Sequence, residues 1–285
     1  MLTPKRSKTL DQPDKDVEMS FFDHLEALRW HLIRSLAVVV ILTILAFVYK
    51  DFVFGTVFMG PSRPSFITYR ILCNFANSFS LAKDLCVDEL KFTLMNTEMG
   101  GQFMQHIYIS FSVGVVMAVP YFTYEIWRFI RPALSNKEVK GSRGVTSAAT
   151  ILFLIGIAFG YYVILPITIQ FLANYELDPS IKNNITISNY ISMLTMTTLS
   201  IALVFELPIV VYFLSRSGIL TPKLMRSYRK HAIVVILILS AIITPSTDIL
   251  SQIVVAVPFY LLYESSIAVS FSVDRRRKKR EALNV

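Results

Sequence analysis

Charged residues are scarce in this sequence. Asp, Glu, Lys and Arg make up only 17% of its 285 residues, whereas hydrophobic residues make up 54%. Soluble domains carry roughly a quarter charged residues and a lower apolar fraction. The shortage of charge excludes a soluble globular domain, and together with a mean hydropathy of +0.54 it predicts an all-α integral membrane protein.

Cysteine and histidine are also scarce, with two and four residues respectively. Cys73 and Cys86 are too few for a disulfide scaffold, and no histidine cluster lies beside them with zinc-site spacing. We expect the two to pair with each other if their loop faces an oxidising compartment. The histidines lie at the ends of apolar stretches and no Gly-x-Ser-x-Gly motif occurs, so we predict no catalytic residue, metal site or cofactor. They are His24, His31, His106 and His231.

Long apolar stretches recur along the chain and predict six transmembrane helices. Most of them approach or exceed the ~20 residues that a helix needs to cross a bilayer. The fifth spans only about 18 Å at the rise of an α-helix, so we expect it to form a short hairpin with the sixth in a locally thinned bilayer. The stretches are Leu32–Tyr49, Phe103–Ile130, Val145–Leu172, Ile191–Leu214, Ala232–Ile243 and Ile249–Phe271.

The net charge of +8 reflects basic residues that cluster between particular stretches. They surround the second and fourth connections and form the run Arg275–Arg280 near the C-terminus. By the positive-inside rule these segments and both termini are predicted to be cytoplasmic, and the charge requires no nucleic-acid partner. The expected organisation is a polar cytoplasmic tail at 1–19, a membrane domain at 20–271 with an extracytoplasmic insertion at 61–95, and a basic cytoplasmic tail at 272–285.

Three glutamates, Glu125, Glu206 and Glu264, lie within the apolar stretches. An acidic group at the middle of a membrane helix costs roughly 2.5–3.5 kcal/mol on insertion scales. We therefore predict that these side chains line a polar groove that contacts partner subunits. The alternative is a structural hydrogen bond to a neighbouring helix, assisted near Glu206 by the backbone break at Pro208.

Two segments beside the spans have the pattern of a helix N-terminus. Residues 20–29 open with a capping box and continue with apolar residues at helical spacing, which predicts an amphipathic helix on the inner membrane surface. For Glu26 and Arg29, the alternative to a functional role is a local ion pair at i,i+3 spacing. The segment Ser135–Glu138 also matches a capping box, so Glu138 is either a functional residue or a helix cap.

Four separated motifs occur in a fixed order between about Met19 and Phe271. They are His24-Leu25-x-x-Leu28-Arg29, Trp127-x-Phe129-x-x-Pro132-x-Leu134-x-x-x-Glu138, Phe205-Glu206-x-Pro208, and Thr244-Pro245 with Asp248-x-x-Ser251-Gln252. In this order the motifs resemble the TatC family, the large core subunit of the twin-arginine protein translocase. The sequence departs from the family at Ala27, because the usual His-Leu-x-Glu-Leu-Arg motif has glutamate there and this chain has Glu26 one position earlier.

The resemblance implies a scoop-like body of six helices in a bacterial inner membrane, with both termini cytoplasmic. It implies a receptor that binds twin-arginine signal peptides on its cytoplasmic face, assembles with small single-span subunits of the TatA and TatB type and with further copies of itself, and exports folded proteins with the proton-motive force. The residues implied for signal-peptide binding are Glu26, Arg29, Phe129, Pro132, Leu134 and Glu138, and those at the extracytoplasmic hairpin are Pro245, Asp248 and Gln252.

A secondary transporter of a small solute is the main alternative. Proline-interrupted spans and a mid-membrane glutamate are typical of that class as well. Such a transporter would favour an inverted repeat, and we find none between the two halves of the chain. An intramembrane enzyme is less compatible still, because it would need a nucleophile and a base, or a metal site, at membrane depth.

Overall fold

The computed structural model describes residues 21–78, 92–130, 144–175, 177–178, 183–244 and 249–283. These residues are mainly helical. The helices are α1 (Phe21–Val48), α2 (Lys50–Phe52), α3 (Ile67–Ser78), α4 (Gly101–Ile130), α5 (Val145–Phe159), α6 (Leu165–Asn174), α7 (Ile187–Phe205), α8 (Leu207–Arg216), α9 (Pro222–Ser227), α10 (Arg229–Ile243) and α11 (Ile249–Leu283). Two π-helical segments, Val53–Phe58 and Gly160–Ile164, follow α2 and α5, and the strands are β1 (Thr93–Met95) and β2 (Asn184–Thr186).

Within this described part, five helical segments are long and apolar enough to cross a membrane. They correspond to α1, α4, the continuous run α5 to α6, the run α7 to α8, and α11. The remaining predicted span is α10, which has 15 residues, fewer than the ~20 that a spanning helix usually needs. The fifth stretch is therefore as short as predicted, and the total of six spans stays a prediction.

Two boundaries differ from the sequence interpretation. Helix α1 runs without a break from Phe21 to Val48, so the expected surface helix is not a separate element. Only Trp30 and His31 separate the two predicted elements. Neither residue is Gly or Pro, so nothing in the sequence ends the helix between them. Helix α11 likewise continues through the basic run to Leu283.

The sequence interpretation also missed a short sheet. Strands β1 and β2 pair in parallel, with Thr93 opposite Asn184 and Met95 opposite Thr186. The Thr93 hydroxyl donates to Asn184 Oδ1 over 2.8 Å. The pair ties the first connection to the third, and at three residues each the strands are too short to give a period-two signal.

Glycines allow the helices to approach closely at two crossings. A Cβ at Gly114 of α4 would lie 2.9 Å from the Thr43 Cα of α1, and a Cβ at Gly156 of α5 would lie 2.7 Å from the Ala202 Cα of α7. Gly156 and Gly160 form a small-xxx-small pattern, which membrane helices use to bring backbones together. Here the pattern packs helices within the chain.

The buried apolar residues form three clusters along the bundle. One lies around the first connection, one between the middle helices, and one beside α9 and the end of α8. In contrast, large apolar side chains such as Leu32, Ile41 and Ile242 are 57–74% exposed. This outward apolar surface is what a lipid environment requires, because lipid tails are as apolar as the side chains.

Candidate functional site

A carboxylate cluster joins α1 to α4. Glu125 on α4 is 2% exposed, and its Oε2 pairs with His31 Nδ1 from α1. The Tyr121 hydroxyl, one turn earlier on α4, donates to Glu125 Oε1 over 2.7 Å. Both carboxylate oxygens are therefore occupied inside the chain, which favours the structural alternative over contact with a partner subunit.

His31 also links this cluster to the predicted peptide site. Its ring lies edge-on to Phe129, with centroids 6.0 Å apart and planes at 69°. The start of α1 and the end of α4 are thus neighbours, although about a hundred residues separate them in the sequence. This contact places the part of α1 that follows Arg29 beside Phe129 near the end of α4.

Glu26 and Arg29 lie near the start of α1, and both side chains are exposed. Across the described ranges no ion pair joins them, so the i,i+3 alternative is not observed. Phe129 is half-buried near the end of α4. The other predicted peptide-binding residues, Pro132, Leu134 and Glu138, lie outside the described residues, and their roles stay predictions.

A second carboxylate cluster joins α10 to α11. Arg229 Nη2 donates to Glu264 Oε2 over 2.8 Å, and the Tyr260 hydroxyl donates to Glu264 Oε1 over 3.1 Å. The two charged side chains are 45% and 30% exposed. Glu264 is therefore also paired within the chain, at a more accessible position than Glu125.

The two clusters share a sequence pattern that the sequence interpretation missed. Each glutamate comes directly after a Tyr-x-x-Tyr motif. The two sequences are Tyr121-Phe-Thr-Tyr-Glu125 and Tyr260-Leu-Leu-Tyr-Glu264. In a helix the first tyrosine of each lies one turn before the glutamate, on the same face. The pattern could have indicated the tyrosine hydrogen bonds, but not the basic residues on the other helices.

Glu206 has a different environment. It stands between α7 and α8 and is followed by Pro208 within the first turn of α8. Its Oε1 is buried and has no hydrogen-bond partner among the residues that the structure describes. The side chain lines an apolar cavity of about 560 Å³ between α4, α5 and α8, together with Phe122, Trp127 and Phe153.

Of the remaining predicted residues, the structure describes Gln252 and Cys73. Gln252 Nε2 donates to the Leu237 carbonyl over 3.0 Å and so connects α11 to α10, whereas Pro245 and Asp248 lie outside the described residues. Cys73 is in a disulfide, but Cys86 is outside the described part, so their pairing stays a prediction. Among the described residues, no group of His, Cys, Asp or Glu could hold a metal ion.

These features define a class. The chain is a polytopic α-helical membrane protein with paired carboxylates between its helices and an exposed polar helix start at one end. It also has a lateral apolar cavity lined by Glu206, whose Oε1 has no partner among the described residues. Such an arrangement suits a protein that binds other polypeptides at its surface and within the bilayer.

Comparisons with known proteins specify the family. A sequence model described as Sec-independent protein translocase protein (TatC) matches residues 23–258. A TatC protein from Blattabacterium sp. subsp. Periplaneta americana is 36% identical over 261 residues, which is 91% of this chain and 98% of the relative. TatCy from Bacillus subtilis is 34% identical over 73% of this chain and 84% of the relative. A crystal structure of the twin-arginine translocase receptor TatC superposes with a TM-score of 0.66 at 29% identity, covering 87% of this chain and 99% of the receptor.

The chain belongs to the TatC family of Sec-independent protein translocase proteins. The predicted family, the all-α membrane fold and the inner-membrane location are confirmed. It is a transport subunit and not an enzyme, and this membership replaces the alternative of a secondary transporter for small solutes.

Proposed function

We propose that the end of the bundle formed by the start of α1 and the end of α4 binds twin-arginine signal peptides on the cytoplasmic face. The observation that supports this most is the His31 contact with both Glu125 and Phe129. Glu26 and Arg29 lie within two turns of His31 on α1, and their side chains are exposed.

The chemistry of the peptide favours carboxylates at this surface. A guanidinium pairs best with a carboxylate, because the two groups can form two parallel charge-assisted hydrogen bonds. Glu26 supplies one exposed carboxylate, and Glu138 is the proposed second. Phe129, Pro132 and Leu134 would contact the apolar part of the signal peptide, and Arg29 would limit how closely a cationic peptide approaches the start of α1.

The cavity at Glu206 is the proposed contact for single-span subunits of the TatA or TatB type. An acidic side chain without a partner is costly in a membrane, and a partner helix with a polar side chain would supply the missing hydrogen bond. Glu125 and Glu264 are already paired within the chain. Glu206 is therefore the intramembrane glutamate best suited to an external partner.

The proposed orientation has both termini, the 131–144 connection and the 215–230 connection in the cytoplasm. The basic residues in those segments support it by the positive-inside rule. Assembly of several copies with small subunits, and export of folded proteins with the proton-motive force, follow from the family as the proposed larger function.

Peptide binding tests the proposed role of Glu138, because a helix cap and an arginine-binding residue should respond differently to substitution. Glutamine also serves in a capping box, so Glu138→Gln should fold and insert normally. The lost charge should weaken binding of a twin-arginine peptide by roughly tenfold to a hundredfold, as expected for a charge-assisted hydrogen bond. Phe129→Ala should show a similar loss.

A peptide with paired lysines is the control, because it should bind weakly to every variant. The affinities are measured by fluorescence anisotropy on the purified protein at low and at physiological salt. Equal affinity of the wild-type protein and Glu138→Gln for the twin-arginine peptide would leave the helix cap as the better explanation.

A further inference from the structure

A large cavity lined by described residues lies at the other end of the bundle from His31 and Glu125. It is a groove of about 1160 Å³ between the first connection and the outer part of α5 with its π-helical extension. Its lining is mostly apolar and aromatic, with Phe52, Phe66, Leu154, Ala158 and Tyr162 among the residues that form it. No residue proposed for peptide or partner binding lines this groove.

Hydrogen bonds and ring contacts fix the walls of the groove. The Tyr161 hydroxyl donates to the Val57 carbonyl over 2.6 Å. The Phe66 ring stacks on Tyr162, with centroids 5.7 Å apart and planes at 11°. Thr68 Oγ1 donates to the Tyr162 carbonyl. The groove is therefore a feature of the folded structure and not a gap between loosely packed segments.

The groove opens beside a helical segment that is long and apolar enough to span a membrane. Its rim residues Ile71, Leu154 and Tyr162 are 47–61% exposed, and Leu154 lies on a membrane-spanning segment. The cavity is slightly larger than the roughly 300–1,000 Å³ typical of small-molecule sites. An extended apolar ligand that enters from the bilayer fits this shape and lining.

Among the described residues, Arg63 is the cation that lines the groove. The side chain of Arg63 is exposed and lines the cavity, and it forms no ion pair with any described residue. The first connection is extracytoplasmic in the proposed orientation, where the positive-inside rule disfavours arginine. Arg63 lies beside an apolar groove and a pair of tyrosines at the expected edge of the membrane. This position suits the binding of a phosphate group, because a guanidinium can form two hydrogen bonds to it.

We propose that this groove binds one anionic phospholipid, with an acyl chain along Leu154 and Ala158 and the headgroup phosphate at Arg63. The apolar lining recognises the acyl chain, and Arg63 recognises the phosphate. The bound lipid completes the surface between the first connection and α5.

Native mass spectrometry of the full-length protein in micelles that contain phosphatidylglycerol or phosphatidylcholine tests this site. The wild-type protein should retain one phosphatidylglycerol in preference to phosphatidylcholine. Arg63→Gln should reduce that retention by roughly three- to tenfold, the range of an ordinary hydrogen bond, because Arg63 is exposed to solvent. Ala158→Trp, which fills the groove, should abolish it.

Each variant has a matched control. Arg70→Gln removes an exposed arginine on the neighbouring helix α3 that does not line the groove, and Ile155→Trp adds a large ring on the lipid-facing side of α5 outside it. Both should retain phosphatidylglycerol as the wild-type protein does. Equal retention of the two lipids, or equal loss in Arg63→Gln and Arg70→Gln, would overturn the phosphate site.

A photoreactive benzoylphenylalanine at Leu154 identifies the occupant directly. A lipid adduct supports the proposal. An adduct with a second copy of the chain or with residues 79–91 of the same chain would overturn it, because a polypeptide would then occupy the groove.

Discussion

Different kinds of contact hold the helices together at the two ends of the bundle. At the end with the predicted peptide site, acidic side chains pair with basic ones from other helices, as in His31 with Glu125 and Arg229 with Glu264. At the other end, neutral tyrosine hydroxyls donate to backbone carbonyls of the first connection. These bonds run from Tyr161 to Val57, from Tyr190 to Phe58 and from Tyr69 to Pro61, over 2.6, 2.8 and 3.0 Å.

The difference follows from the groups that need hydrogen-bond partners at each end. An irregular connection at the membrane edge has carbonyl groups without helical partners, and buried tyrosines satisfy them without introducing charge. Burial raises the pKa of the Tyr69 hydroxyl, so that side chain stays a neutral donor. The charged pairs instead join helix to helix beside a surface proposed to bind a cationic peptide. We therefore expect substitutions at the two ends to differ in size and in their dependence on charge.

Removing the Glu125 carboxylate should have the largest effect on stability. Glu125→Ala leaves His31 and the Tyr121 hydroxyl without their acceptor in a buried site, and loss of one member of a buried pair costs about 3–5 kcal/mol. Denaturant unfolding in detergent micelles measures this change. The double variant His31→Ala, Glu125→Ala should be destabilised by less than the sum of the two single variants, and strict additivity would show that the pair is not coupled.

Tyr190→Phe should have an intermediate effect that does not depend on charge. The ring stays in the core, where Tyr190 is 2% exposed, but the Phe58 carbonyl loses its donor. A buried polar group left unpaired costs about 1–3 kcal/mol. The same unfolding measurement at low and high salt should give the same value, and Tyr162→Phe, whose side chain is 47% exposed, is the control with little change.

Glu264→Gln should destabilise the protein less than Glu125→Ala or Tyr190→Phe. The pair with Arg229 is partly exposed, at 45% and 30% for the two side chains, and such pairs contribute about 0–1 kcal/mol. The loss should shrink as salt is added, because screening already weakens the wild-type pair. A cost as large as that of Glu125→Ala would contradict the ranking by burial.

Glu206→Gln should have the smallest effect on stability and the clearest effect on assembly. Its Oε1 accepts no hydrogen bond from any described residue, and glutamine keeps the size of the side chain, so the free energy of unfolding should change by about 0.5 kcal/mol or less. Co-purification with TatA- or TatB-type subunits should fall. Normal assembly and export by this variant would make Glu206 a structural residue.

Much of the fold could be predicted from the sequence. The apolar stretches coincide with helical segments of the structure, except that Tyr49 lies just beyond α1 and Glu206 between α7 and α8. The short fifth stretch corresponds to α10, which has 15 residues. The surface helix before the first span was predicted wrongly as a separate element, because amphipathic spacing does not show whether a helix bends before it continues into an apolar run. The strands β1 and β2 were missed, since three residues carry too little pattern.

The three intramembrane glutamates show most clearly what only the tertiary structure decided. The sequence alone determined that the chain lies in a membrane, that Glu125, Glu206 and Glu264 interrupt its apolar stretches, and that its motifs follow the order of one family. Hydropathy and motif order are local properties, so these conclusions needed no folded structure. Whether each carboxylate has a partner depends on residues far away in the chain, as His31 is from Glu125, and on glycines that let the helices approach. The packing paired Glu125 and Glu264 within the chain and left Glu206 facing a cavity, because a hydrogen bond between helices forms only where their backbones come close enough.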